Sequence, residues 1–226
     1  MAEREIRAVL TGDIVLSARF AESGPAISSA IKDAYRAGED AFEGALTGVD
    51  VFRGDSWQVL VNSPAHALRV ALLMRALIRS RKDLPNADTR VAIGIGEVTF
   101  VDPHNVSESQ GEAFRLSGEA LESLSRSSVH MAAVIPAEWV TDTPSQLLRP
   151  QETLDTVMIL LDAICGSWTA VMAETVAGAL RGWTQERIGD ERGVTQSTAS
   201  RVLSSAKWSA VEQALDWWEH SIRYER

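Results

Sequence analysis

The chain has a single cysteine, Cys165, in 226 residues. No internal disulfide is open to it, which suits a reducing compartment. Its setting in the apolar run TVMILLDAICGSW reads as buried packing rather than as a nucleophile. The four histidines (His66, His104, His130 and His220) are scattered without ligand spacing, so no zinc site is expected. No apolar run reaches the roughly 18 to 20 residues that span a bilayer. The N-terminus, MAEREIRAVL, mixes acids with arginines and has no apolar stretch of signal-peptide type. A soluble, cytoplasmic protein with no membrane partner is therefore expected. Positive charge is scarce too: 22 Lys and Arg stand against 31 Asp and Glu, for a formal net charge of −9. An acidic surface repels a polyanion, which argues against indiscriminate nucleic-acid binding, and any DNA contact must come from a small, well-placed surface. There is neither an internal repeat nor a low-complexity tract.

What is there is an ordinary globular composition, 45% hydrophobic and 23% charged. Residues 6–11 (IRAVLT) read as an apolar strand ending at Gly12-Asp13. Residues 25–44 read as a helix begun by Pro25, with Ile27, Ile31, Ala34 and Ala41 on one face. Residues 49–52 and 57–61 form a hairpin tipped by Gly54-Asp55. A helix capped by Asn62 or Ser63 opens at Pro64, with Leu68, Leu72, Met74, Leu77 and Ile78 inward and its arginines outward. Residues 89–96 (TRVAIGIG) are a strand whose alternating glycines imply close backbone approach. A polar loop at 104–111, a helix at 111–125 and a strand at 129–135 follow. The order β-α-β-β-α-β, then α-β, predicts an α+β, ferredoxin-like domain over residues 1–140 with helices on one face of its sheet. The proline-, threonine- and serine-bearing stretch 136–150 reads as a linker. Residues 150–226 read as an all-helical domain holding most of the tryptophans, with helices at 152–163, 168–180, 185–191, 196–206 and 209–223.

The segment TQERIGDERGVTQSTASRVLSSA has the spacing of a helix-turn-helix. Thr184 caps a first helix, Gly189 is the small residue where a second helix crosses, and Gly193 suits the tight turn. Val194 fills the angle between the helices, and Thr195 caps the second helix, which buries Val202 and Leu203. The outer face carries Gln196, Ser197, Ser200, Arg201 and Ser204, with Lys207 just after. From Thr195 to Trp208 there are two cations and no acid. Short polar side chains and one arginine suit a major groove, where Arg reads guanine and Gln reads adenine. Thr195, Gln196, Ser197, Ser200, Arg201 and Lys207 are the expected DNA contacts, and double-stranded DNA the expected partner. A helical hairpin used only for packing has the same local pattern. A homodimer is expected, because regulators of this kind read half-sites with two-fold symmetry.

Three segments of the front half, TGDIVLSARF, FRGDSWQVLV and RVAIGIGEVTF, taken with the helix-turn-helix, resemble the bacterial SatD family in order and spacing across nearly the whole chain. More distantly they resemble class III nucleotide cyclases and GGDEF domains. That resemblance implies a cyclase-like sensor domain holding Mg²⁺ and a nucleotide. Asp13 and Asp55 would hold the metal with the carbonyl of Ile14, and the backbone of Val15, Leu16 and Ser17, with Arg19, would sit on phosphate. Two carboxylates at adjacent strand ends make a hard oxygen site; two aspartates beside glycines are also ordinary turn residues. The sequence departs from active cyclases on the helix after the glycine strand: Arg115 stands where the ribose-orienting asparagine belongs, and Glu119 where the transition-state arginine belongs. The expectation is a DNA-binding regulator with a catalytically silent sensor. The alternative is a nucleotide-processing enzyme of cyclase fold with a helical dimerisation tail.

Overall fold

The computed structural model describes residues 5–15, 17, 24–102, 105–136 and 150–222. Strand β1 (Glu5–Ile14) is the centre of the sheet, and its burial follows from its pattern: Ala8, Leu10 and Ile14 point to one core while Val9 points to another. It pairs antiparallel with β3 (Ser56–Val61) on one side and β4 (Thr89–Phe100) on the other. Strand β2 (Leu46–Phe52) joins β3 through a hairpin whose tip places Arg53 and Gly54 at positive φ. With the short β5 (Gln110–Gly111), the order is β2-β3-β1-β4-β5, and β6 (Met131–Val134) runs parallel to β4. Strands β1 and β2, and likewise β3 and β4, are parallel pairs with one antiparallel strand between them. The fold is thus mixed α+β with the split βαβ order that the sequence predicts.

Helices α1 (Gly24–Ala41) and α2 (Ala67–Arg79) cover the face carrying Ala8, Leu10, Val59 and Ile93. Helix α3 (Glu112–Ser125) lies on the opposite face, over Val9, Leu60 and Val98 and over Ala92. The expectation of helices on one face alone does not hold. Its cause is in β4: a Cβ on Gly94 would stand 2.3 Å from the Ala113 carbonyl oxygen and 2.5 Å from the Ser117 amide. The backbone approach implied by the glycines is the approach of α3.

The helices of residues 150–222 are α4 (Pro150–Gly166), α5 (Ala170–Leu180), α6 (Gln185–Arg192), α7 (Gln196–Ser205) and α8 (Trp208–Ser221). The linker expected at 136–150 falls largely on residues outside those described. Helix α5 packs on α2, α4 packs on β6, and the Trp218 indole N–H donates to the Pro64 carbonyl at 3.0 Å. One apolar core runs from the sheet through α2 into α4, α5 and α8. This cover reverses the expected role of the α2 arginines. Arg75 is fully buried, donating through Nε and Nη2 to Asp88 (2.9 Å each) and through Nη1 to Asp162 of α4 at 2.6 Å. Arg79 Nη1 stands 2.7 Å from Asp88 Oδ2, and its Nη2 donates to the Trp168 carbonyl at 2.7 Å. The periodicity of α2 alone gives no sign of a second layer, so its outer side reads as solvent.

Candidate functional site

Helices α6 and α7 are shaped by local chemistry. The Thr184 hydroxyl accepts the Arg187 amide at 3.2 Å, and Thr195 accepts the Thr198 amide at 3.2 Å, so both helices begin on a satisfied cap. Between them Gly193 takes a left-handed φ of 65°, conformational space that favours glycine. A Cβ on Gly189 would stand 2.8 Å from the Val194 carbonyl oxygen, which is how closely the turn into α7 passes α6. Ile188, Ala199 and Leu203 are buried in the angle between the helices, with Val194 and Val202 half-buried.

On the outside, Thr195, Gln196, Ser197, Arg201 and Ser204 are exposed, and Ser200 is half-buried. Gln196 Nε2 donates to Gln185 Oε1 at 2.6 Å, tying the first residue of α7 to the first residue of α6. This fixes the plane of the Gln196 amide while its oxygen and its second N–H stay available. Sequence reading missed Gln185; two glutamines at the first positions of the two helices were the signal. The Arg201 guanidinium lies along its own helix, at 3.4 Å from the Ser197 carbonyl and 3.4 Å from the Thr198 hydroxyl. Lys207 occupies the turn before α8 with φ 60° and borders a groove between α4 and α8. Beside the start of α6, Arg181 and Arg187 lie over the Trp183 ring at 3.7 and 4.3 Å from its centroid. Burial, then the nearby Arg187 charge, draws the Arg181 guanidinium below its ordinary range. Asp33 and Asp40 of α1 line the same pocket as these two arginines, and the Glu191 charge also acts on Arg181, so the spot is of mixed charge.

The three motifs of the front half meet at one end of the sheet. Asp13 stands opposite Ser56 on β3 and Arg90 on β4. The Asp55 carbonyl accepts the Ile14 amide at 3.1 Å, so both aspartates lie at the same sheet end on neighbouring chain segments. The Val15 amide donates to the Asp88 carbonyl at 2.9 Å and Ser17 is half-buried; Leu16 and Arg19 lie outside the described residues. The motif residues chiefly bind one another. The Trp57 indole donates to the Thr89 hydroxyl at 3.0 Å, that hydroxyl donates to the Asp13 carbonyl at 2.7 Å, and Gln58 Nε2 donates to the Thr11 hydroxyl at 3.0 Å. A Cβ on Gly12 would meet the Trp57 ring at 2.4 Å, so that glycine makes room for the tryptophan.

Both Asp13 oxygens accept from Arg90, Nε at 2.7 Å and Nη2 at 2.9 Å. As arranged, this donor set does not fit a divalent ion, because the guanidinium takes the cation's place on Asp13. Among the described residues no three His, Cys, Asp or Glu side chains come together as a metal site. On α3, Arg115 and Glu119 pair with each other at 2.9 Å on an exposed face.

Among the described residues no helix is long and apolar enough to cross a membrane. No protein-family model and no curated protein matches the chain. A solved bacterial light-regulated adenylyl cyclase is similar at a TM-score of 0.40 and 11% identity, covering 70% of this chain and 57% of that one. The chain spans just over half the length of that protein. So slight a likeness carries neither its fold nor its activity here, and the topology above rests on the strand pairing itself.

Proposed function

We propose that the chain binds double-stranded DNA in a sequence-specific way through α7, as a transcriptional regulator whose α/β half senses a nucleotide-like ligand. The observation that supports this best is the outer face of α7: exposed, free of acids, and carrying Gln196 with its amide braced by Gln185. In a major groove, Gln196 offers an oxygen and an N–H to adenine, and Arg201 swings from its helix to the O6 and N7 of guanine. Thr195 and Ser197 contact phosphate, which sets the register of the helix on the duplex. Selection of bound duplexes from a random pool tests the reading. Enrichment of a shared sequence, lost in the Arg201→Ala protein, supports it; a pool that stays random overturns it.

A second reading is supported by the sheet end, where Asp13, Ile14 and Asp55 lie on neighbouring chain segments. In it the α/β half processes or senses a nucleotide triphosphate at that end of the sheet. A thermal-shift screen of nucleotides with and without Mg²⁺ tests it, since a ligand that binds only the folded state raises the melting temperature.

A further inference from the structure

Gln185 and Gln196 are the first residues of α6 and α7, 11 apart in sequence. Each follows a threonine whose hydroxyl accepts a backbone amide, so both helix starts are fixed in place. The left-handed turn at Gly193 and the close approach of Gly189 to Val194 then set how those starts face each other. Both glutamines are exposed, and the 2.6 Å bond from Gln196 Nε2 to Gln185 Oε1 joins them.

That bond changes what Gln196 can offer a base. A primary amide carries two N–H donors on its nitrogen and one acceptor oxygen. With one N–H held by Gln185, Gln196 presents a single donor beside its acceptor. In the major groove adenine shows an acceptor, N7, beside a donor, N6–H, which is the complementary pattern. Guanine shows two acceptors, N7 and O6. A braced Gln196 donates to only one of them while its oxygen faces the other. Released from Gln185, the amide can turn both N–H groups towards guanine, and the choice between the two bases narrows. Gln185 keeps both of its own N–H groups, and beside the base edge a duplex offers them phosphate oxygens.

We propose that Gln185 is a positioning residue that determines specificity: it holds Gln196 to an A·T pair against G·C and donates to the neighbouring phosphate. The inference rests on the DNA reading of α7. It adds a residue of α6 that decides the base without touching one.

The test measures binding of the unaltered protein, Gln185→Ala and Gln185→Glu to four duplexes of a selected sequence that differ in one base pair. The pair varied is the one at which Gln196→Ala loses its preference. The unaltered protein is expected to prefer A·T there. Gln185→Ala should lower the ratio of A·T to G·C binding by about threefold to tenfold, the net worth of one hydrogen bond, with far-UV circular dichroism unchanged. Gln185→Glu still accepts the Gln196 N–H but repels phosphate, so it should keep the ratio while binding every duplex more weakly. A residue that only supports the fold of α6 would shift all four affinities together. Four results under selective binding overturn this inference alone: Gln185→Ala keeps the ratio, Gln185→Glu loses it, the preferred pair is not A·T, or Gln196→Ala loses preference at no pair. A pool with no shared sequence overturns the DNA reading and this inference with it.

Discussion

Asp88 anchors Arg75 and Arg79, the two arginines of α2 that reach across to Asp162 and the Trp168 carbonyl in the C-terminal half. Its carboxylate takes bonds from Arg75, from its neighbour's amide at Thr89 and from His130, while its carbonyl holds the Val15 amide beside the candidate ligand loop. Burial alone would push its carboxyl up, but the bonds from His130 and Arg75 and the charges of Arg75 and Arg79 outweigh that and hold it well below the usual carboxylate range. The folded protein thus binds this proton more weakly than the unfolded chain does. Its stabilising contribution is whole above the unfolded value of about 3.9 and drains as the pH falls below it. The gap in melting temperature between the unaltered protein and Asp88→Asn should narrow as pH is lowered through about 4; a gap constant with pH contradicts the assignment. Arg75→Ala leaves Asp88 and Asp162 facing each other without their shared cation. It should cost about 3 to 5 kcal/mol in chemical denaturation. Cys165, its thiol pushed up to about 12 mainly by burial, is inert filler as its apolar run implies.

At the scale of elements, what could be read in the sequence was whatever is decided locally. Thr184, Gly193 and Thr195 write the caps and the turn of α6–α7 within a dozen residues, so those helices are legible to within a residue or so. The hairpin tip at Gly54 and the glycines of β4 are legible for the same reason, as backbone requirements of single positions. What was not legible depends on a neighbour remote in sequence. The glycines announce a close approach but not that α3 makes it, and Arg75 reads as an outward charge because nothing in α2 foretells α4. Asp13 and Arg90 appear in separate motifs as a metal ligand and an ordinary cation; only the register of β1 on β4 shows them to be partners. Within α6–α7 the closest constraint is Gly189. Gly189→Val should destabilise the protein by about 1 to 3 kcal/mol through overpacking against Val194. It should also abolish DNA binding under conditions where far-UV circular dichroism shows the fold retained; unimpaired binding would mean the crossing of α6 and α7 does not set the α7 face.

Beside the smaller cores under α3, the largest apolar core is continuous from one face of the sheet to α8, reinforced by Arg75, Arg79 and the Arg69–Glu219 pair at 2.8 Å. Thermal unfolding should accordingly be a single transition, with the tryptophan signal of residues 168–218 and the far-UV signal moving together. Two separated transitions would show that residues 1–140 and 150–226 fold as independent domains after all. The same continuity gives the sensor reading its physical route. The Val15 amide bonds to Asp88, Asp88 to Arg79, and Arg79 to the Trp168 carbonyl; the Trp168 indole donates to the Ala206 carbonyl at the end of α7, at 2.9 Å. The proposed function rests on α7 being a reader of DNA rather than a packing helix. Fluorescence anisotropy on a selected duplex and on an unrelated one, with the unaltered protein and Arg201→Ala, tests that most directly. The account predicts a preference for the selected duplex that Arg201→Ala lowers by about 1 to 3 kcal/mol, while affinity for the unrelated duplex changes little. Equal affinity of both proteins for both duplexes would contradict it.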